Sequence, residues 1–235
     1  NTSTKPSTIT VRKLNPQICY GAGMGSRIFG LDDTGNMIAC TADGDLKQWE
    51  RYEGISSDSW ASPVGTTGAW TGCAVVGNSF LAFKKSALHV VQGNYATNYQ
   101  ITKNLNTGCI DSHSIAVIDD TVYYLSSVGF CTYYYGQVEE ISSPLARRYV
   151  SAKAGVKDGR YHVVATDEEG SSEYLIYDPR LRIWLREGER SFLWFYTMGM
   201  RLMAVTGAGV QELECTGGKK AWSIRTQRIN DRAFV

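Results

Sequence analysis

A pattern of about 40 residues recurs along the chain, and it restricts the fold more than any other feature. In each copy a short strand of small or apolar residues leads through a polar turn into a strongly β-prone strand, as in Ala74–Phe83 and Ala116–Leu125. These second strands are predicted to begin near residues 28, 80, 122, 161 and 202, at intervals of 52, 42, 39 and 41. Four short strands in about 40 residues are typical of one β-propeller blade.

We therefore predict an all-β protein that forms a single domain, a β-propeller of five four-stranded blades. The predicted blades cover residues 18–52, 68–104, 107–147, 149–190 and 191–230. Their outer strands are predicted at Leu46–Tyr52, Tyr99–Lys103, Val138–Ile141, Arg182–Arg186 and Ala221–Thr226. Strand 8–14 is expected to complete the last blade and close the ring, which removes two exposed sheet edges. Two alternative folds remain. One is a six-bladed ring that includes sequence outside this chain, and the other is a β-sandwich of two sheets, which does not predict the repeat.

The repeat also assigns structural roles to single residues. Small residues at equivalent places in four first strands are expected to face a narrow axis: Ala22, Ala74, Ala116 and Ala154. His89 and Cys131 fall at equivalent places in neighbouring copies, so we interpret them as packing positions and not as a pair of ligands.

Composition excludes several classes of protein. With 43% hydrophobic and 20% charged residues the chain is globular and not disordered. The 24 basic and 23 acidic residues balance to a net charge of +1, which does not favour specific nucleic-acid binding. No apolar run approaches the ~20 residues of a membrane-spanning helix. The polar start without Met favours an excised domain or a processed product.

Metal and cofactor sites are not expected. Of the six cysteines no two have C-x-x-C spacing, and the three histidines do not cluster with them. We expect reduced, mostly buried cysteines, no structural zinc and no obligatory disulfide.

Catalytic signals are weak, and we predict that the protein is not an enzyme. No phosphate-binding loop, H-E-x-x-H or G-x-S-x-G motif is present. Five-bladed rings can house glycoside hydrolases, which need converging carboxylates, one of them with a raised pKa. The candidates for that less favoured alternative are Asp32, Asp33, Asp111, Asp119, Asp120 and Asp158, most of which lie in turns where Asp is common.

Binding is expected from loops, because the blades are used in packing one another. The long first interval indicates an insertion, residues 53–67, which is rich in Ser, Gly and Asp and shows no hairpin pattern. Trp60 and Trp70 flank this insertion as candidate exposed interface anchors, and Asp58 lies within it. Tyr134, in a run of three tyrosines at a strand end, is the fourth interface candidate.

Three segments in order resemble a known family. They are residues 80–109, residues 116–142 and the Tyr-Asp-Pro of residues 177–179 followed by Trp184. This succession, over roughly residues 75–190, resembles the propeller domains of tailed-bacteriophage structural proteins of the tail-tube nozzle or neck-associated type.

The resemblance implies a non-enzymatic component of a virion tail or neck, assembled in the bacterial cytoplasm. Its expected partners are other virion proteins and copies of itself in a ring. Near-neutral charge suits an external or interface-forming ring better than one that lines a DNA path. A carbohydrate- or receptor-binding propeller with a glycan receptor is the alternative function.

Overall fold

The computed structural model describes residues 16–187, 192–198 and 201–213. These residues form nineteen β-strands and two three-residue 3-10 helices, η1 (Ser112–Ser114) and η2 (Ser143–Leu145), and contain no α-helix. Within them no helix is long and apolar enough to cross a membrane. The all-β prediction is therefore confirmed for the described part of the chain.

The strands form five antiparallel sheets, and in each sheet the spatial order of the strands follows the order in the chain. Sheet 1 comprises β1 (Ile18–Met24), β2 (Arg27–Asp32), β3 (Met37–Cys40) and β4 (Trp60–Pro63). Sheet 2 comprises β5 (Trp70–Val76), β6 (Ser79–Lys84), β7 (Ala87–Gln92) and β8 (Gln100–Leu105). Sheet 3 comprises β9 (Ala116–Ile118), β10 (Thr121–Ser126), β11 (Gly129–Tyr134) and β12 (Gln137–Glu140).

The last two sheets differ in their number of strands. Sheet 4 comprises β13 (Tyr149–Lys157), β14 (Arg160–Asp167), β15 (Ser172–Asp178) and β16 (Ile183–Arg186). Sheet 5 has three strands among the described residues: β17 (Trp194–Met198), β18 (Arg201–Thr206) and β19 (Gly209–Glu212). The strands predicted at 8–14 and Ala221–Thr226 lie outside the described residues.

The repeat period is confirmed by the second strands of the sheets. They begin at Arg27, Ser79, Thr121, Arg160 and Arg201, each one residue before the predicted start. The polar pairs that precede them form tight turns, and Asp158 and Gly159 both have positive φ values, 53° and 68°. Asp and Gly tolerate this conformation better than most residues, which explains why these types recur there.

The outer strand of sheet 1 differs from its prediction. Leu46–Tyr52 forms no strand, and the fourth position is taken by Trp60–Pro63, which pairs with β3 from Met37 to Cys40. Sheet 1 therefore ends at residue 63 and not at 52. The insertion is not wholly irregular, so deleting residues 54–66 would remove a strand as well as a loop.

The five sheets stack on one another in chain order. Side chains alternate between the two faces of each strand, so one strand supplies two cores. In β6, Phe80 and Ala82 pack towards sheet 1, while Leu81 and Phe83 pack towards sheet 3. Four such cores join sheets 1 and 2, 2 and 3, 3 and 4, and 4 and 5. This arrangement is consistent with a β-propeller-like fold.

The small residues of the first strands lie at the contacts between sheets. Ala22, Ala74 and Ala116 stand three residues before their turns and pack in the cores shared with the next sheet. In β13 the third residue before the turn is Gly155. A Cβ added there would lie 2.5 Å from the side chain of Leu202 in sheet 5. The prediction of Ala154 for this position was wrong by one residue, because β13 continues through Lys157, which pairs with Arg160, and the turn begins only at Asp158.

Buried histidines make the fold sensitive to acid. Burial, assisted by the charges of Lys84 and Lys103, lowers the pKa of His89 to about 4, and burial lowers the pKa of His162 to about 4. Unfolded histidine titrates near 6.5, so the unfolded chain binds more protons between pH 6.5 and 4. The two histidines contribute to the free energy of unfolding because they are buried in their neutral form. This contribution is fully present above pH 6.5 and is lost as the pH falls towards 4.

We expect thermal unfolding at pH 4.5 to show a loss of about 2 kcal/mol per buried histidine relative to pH 7.5. The double variant His89→Gln with His162→Gln should have a shallower slope in this window. Between pH 7.5 and 8.5 the two proteins should show the same pH dependence. Equal slopes from pH 6.5 to 4.5 would contradict the assignment.

Candidate functional site

The first and third connections of sheets 1 to 4, which include the long connections of sheets 1 and 2, lie at one end of the stack, which we call the loop face. It consists of the turns at 25–26, 77–78, 119–120 and 158–159 and the connections at 41–59, 93–99, 135–136 and 179–182. In an antiparallel sheet the first and third connections lie at the same end. Contacts between sheets keep these ends together: Ser56 O accepts the N–H of Ala96 at 3.3 Å, and Arg182 forms an ion pair with Glu139.

The loop face carries an unusual share of exposed apolar side chains. Eight large hydrophobic residues with more than two fifths of their surface exposed lie on or beside its connections: Leu46, Tyr52, Ile55, Tyr95, Tyr134, Tyr135, Leu181 and Ile183. They come from four different sheets. Scattered exposed apolar residues are normal, but a set gathered at one end of a domain is typical of an interaction surface.

Asp58 organises the insertion and is not exposed. One of its carboxylate oxygens accepts the N–H groups of Glu53, Gly54 and Ile55 at 2.6, 2.6 and 3.1 Å. Desolvation acts to raise the pKa of Asp58, but these amides and the charge of Arg51 outweigh it and hold the pKa below its usual value. The side chain is 4% exposed, so its role is to fix the loop from within.

Arg27 anchors the same loop to sheet 2 and sheet 1. Its buried guanidinium donates to the carbonyl oxygens of Thr41 at 2.7 Å and Ser56 at 2.8 Å, and also to that of Asp58. The guanidinium carbon lies 5.9 Å from the ring centroid of Tyr99 in sheet 2. The exposed residues of the insertion are therefore presented on a fixed support.

The two tryptophans occupy different environments. Trp70 is 5% exposed, and its Nε1–H donates to an oxygen of Asp32 at 3.1 Å. The expectation of an exposed side chain is wrong for Trp70, because the ring lies in the core between sheets 1 and 2. Trp60 is half-buried at the start of β4, with its ring edge-on to Tyr99 at 5.5 Å. Trp60 therefore supports the outer strands of two sheets.

Tyr134 is the interface candidate that the structure leaves most accessible. Its ring lies edge-on to that of Tyr135 at a centroid distance of 4.7 Å, and both side chains are exposed. Tyr135 also lines a groove of 300 Å³ between sheets 2 and 3, opposite Asn78 and Gly93. Tyr135 thus places the tyrosine pair beside a concavity that joins two sheets at the loop face.

Two of the carboxylates considered for glycoside hydrolysis accept hydrogen bonds from backbone N–H groups. Asp32 accepts the N–H groups of Asn36 and Met37 at 3.0 and 2.9 Å. Burial acts to raise the pKa of Asp32, but its hydrogen bonds outweigh it and hold the pKa below its usual value. Asp111 accepts the backbone N–H of His113 at 3.0 Å and that of Ala152 at 3.1 Å.

The other carboxylate candidates lie mainly in turns. Asp119, Asp120 and Asp158 belong to the first turns of sheets 3 and 4, and Asp33 follows β2. In residues 16–187, 192–198 and 201–213 no group of three or more His, Cys, Asp and Glu side chains is placed to hold a metal ion. Five cysteines of these ranges are free thiols, and Cys40, Cys109 and Cys131 are buried.

Sequence reasoning missed a cavity beside the first strands of sheets 1, 4 and 5. This cavity of 460 Å³, which we call the axial cavity, is lined by Tyr20 of β1, Ser112 and His113 of η1, Lys153 of β13 and Trp194 of β17. Its residues come from first strands that are far apart in the chain. The one available signal was that Trp194 and Tyr20 are aromatic residues at equivalent places, each four residues before the end of its first strand.

Comparison with solved structures shows the fold alone. The chain is similar to PorZ, described as an essential bacterial surface component of the type-IX secretion system of Porphyromonas gingivalis, with a TM-score of 0.50, 10% identity, and coverage of 84% of this chain and 27% of that one. It also matches a chain from the complex of fission yeast SREBP–SCAP binding domains (TM-score 0.47, 12% identity, 90% and 61% coverage). A third match is the AfRom2 CNH domain (TM-score 0.45, 11% identity, 85% and 68% coverage).

The chain spans about a quarter of PorZ and about three fifths of the yeast chain. No protein-family model and no curated protein matches the sequence.

Proposed function

We propose that this chain is a non-enzymatic interaction module that binds other proteins through its loop face. The observation that carries the proposal is the set of exposed apolar side chains held at one end of the stack on supported loops. Tyrosine in particular combines apolar area with a hydrogen-bonding hydroxyl and is enriched at protein interfaces. Arg27 and Asp58 fix the insertion beforehand, so little conformational entropy is lost when a partner binds.

The number of blades and the closure of the ring are part of the same proposal. Each sheet is one blade of a five-bladed propeller, and sheet 5 is its last blade. The outer strand of this blade and the closure of the ring are expected from segments 8–14 and Ala221–Thr226, which lie outside the described residues. The shared cores between consecutive sheets and the gathering of first strands around the axial cavity support this arrangement.

The biological setting rests on the sequence resemblance. On that basis the module is part of a phage tail or neck, located in the virion, and its partners are other virion proteins and copies of itself. The glycoside hydrolase alternative is less supported, because the carboxylates of Asp32 and Asp111 accept backbone N–H groups of their own connections and of β13.

The loop face can be tested with a double variant, Tyr134→Ser with Tyr135→Asn. Asn suits position 135 because Tyr135 has a φ of 43°, a left-handed conformation that Asn tolerates. We expect self-association, measured by analytical ultracentrifugation, and binding to proteins encoded by neighbouring genes, measured by biolayer interferometry, to weaken about 10- to 100-fold. The melting temperature should change by no more than a few degrees, since both side chains are exposed.

Val128→Ser is the matched control. Val128 is 59% exposed, in the turn between the second and third strands of sheet 3, at the end opposite the loop face. It should leave both kinds of association unchanged. If Val128→Ser weakens binding as much as the tyrosine variant, or if the tyrosine variant binds normally, the loop face is not the interaction surface.

A further inference from the structure

The axial cavity combines several features of a small-molecule site. Its volume of 460 Å³ falls within the roughly 300–1,000 Å³ of ligand pockets. Elements of four sheets or their connections contribute to its wall, and the packing between sheets fixes their relative positions. The cavity is thus built by the fold as a whole.

Its polar side is held in place by η1. Asp111 caps this short helix, and its carboxylate contacts Nδ1 of His113 at 2.9 Å while accepting the N–H of Ala152 in β13 at 3.1 Å. From the other side, the hydroxyl of Tyr161 donates to Ser114 O at 2.7 Å. These bonds tie η1 to sheet 4 and orient the imidazole.

Its aromatic side is Trp194. The imidazole of His113 meets this indole edge-on, with ring centroids 4.6 Å apart and planes at 74°. Trp194 nevertheless remains 45% exposed, so much of the indole is open to a ligand. An exposed ring held by a second ring is suited to stacking against a flat or ring-shaped partner.

Lys153 gives the cavity its charge preference. Strand alternation places Ala152 and Ala154 towards sheet 3, and therefore Lys153 towards sheet 5 and Trp194. Among the described residues no carboxylate lies within ion-pair distance of this ammonium group. One free ammonium matches one carboxylate, whereas a polyphosphate requires several cations.

We infer that the axial cavity binds a sugar ring that carries a carboxylate, as in a hexuronic acid unit of a glycan. The ring stacks on Trp194, the carboxylate pairs with Lys153, and the hydroxyl groups of Ser112 and Tyr20 are available to the sugar hydroxyls. This site is independent of the loop face.

Isothermal titration of the full chain with glucuronate, glucose and a nucleoside monophosphate tests the inference. Glucuronate should bind, and glucose, which lacks the carboxylate, should bind about tenfold more weakly or not at all. Lys153→Gln should reduce glucuronate affinity about tenfold and leave glucose unchanged. Trp194→Ala should weaken both sugars, and Trp194→Phe should recover part of the loss.

Two controls keep the outcomes distinct. Lys103→Gln, an exposed lysine of β8 outside the cavity, should bind glucuronate normally. The tyrosine variant of the loop face should also bind it normally, so failure of one proposal does not decide the other. Binding of the nucleotide in preference to glucuronate, no glucuronate binding at tens of millimolar, or unaltered binding by folded Lys153→Gln would overturn the inference.

Discussion

Replacing Gly108 by alanine is expected to destabilise the domain by about 3 kcal/mol or more. A Cβ at this position would lie 2.0 Å from the carbonyl oxygen of Lys84, 2.5 Å from the amide nitrogen of Ala87 and 2.7 Å from the carbonyl carbon of Lys85. All three atoms belong to the backbone of the turn between β6 and β7. They cannot move aside as a flexible side chain does, so a strand connection must shift.

The shift would disturb a junction between sheets 2 and 3. Next to Gly108, Thr107 O accepts the hydroxyl of Tyr124 at 2.9 Å, and Cys109 is fully buried. Chemical unfolding should therefore show a lower midpoint, and the melting temperature should fall by roughly 6–12 °C. Gly65→Ala is the matched control, because a Cβ there meets no atom within 4 Å, and it should change stability by no more than about 0.5 kcal/mol. Similar stabilities for the two variants would show that the close approach at Gly108 is relieved at little cost.

Lys84→Met is expected to be the second most damaging substitution, with a loss of about 3 kcal/mol. Lys84 is 1% exposed, and its ammonium donates to the carbonyl oxygens of Gly35 at 2.5 Å and Thr66 at 2.6 Å. It also lies 4.6 Å from the ring centroid of Trp70. This one side chain thus connects β6 to the β2–β3 turn and to the segment that links sheets 1 and 2.

Methionine keeps the length of the side chain but leaves both carbonyl groups without their charged donor. Burial lowers the pKa of Lys84, which shows that the ammonium group loses hydration on folding, and its contacts must compensate for that loss. Lys85→Met changes the neighbouring exposed residue and should alter the free energy of unfolding by less than about 0.5 kcal/mol. If guanidinium titration gives Lys84→Met the stability of Lys85→Met, the buried ammonium contributes no net stability.

The elements that sequence predicted well are those with a local signal. The polar pairs before Arg27, Ser79, Thr121 and Arg160 are turn formers at a regular spacing, so the second strands were placed within one residue. His89 and Cys131 were expected to be packing positions, and each is the third residue of a third strand, at 2% and 1% exposure.

The outer strand of sheet 1 had no such signal. Trp60–Pro63 is four residues long and ends in proline, and its partners in β3 lie 20 to 26 residues away in the chain. Leu46–Tyr52, by contrast, has the apolar and aromatic residues of a strand. It forms a loop instead, in which the carbonyl oxygen of Gln48 accepts the hydroxyl of Ser59 and the N–H of Ala42.

The candidate site was predicted only in part. Tyr134 and the insertion were identified because loops are accessible, whereas Trp70 and Asp58 were not recognised as buried. Their burial depends on Lys84 and on three amides that no spacing rule places beside them. The axial cavity joins residues from position 20 to position 194 and has no local sequence pattern.

The sharing of each core by two consecutive sheets has a consequence for how the domain tolerates change. Each described sheet is coupled energetically to its neighbours in the chain through the cores that it shares with them. A lesion in one core reaches two units directly and the others only through them. Duplication or deletion of one unit of about 40 residues would change the cores at its two borders and leave the cores between the other sheets as they are, so blade number is a variable that evolution can change in single steps.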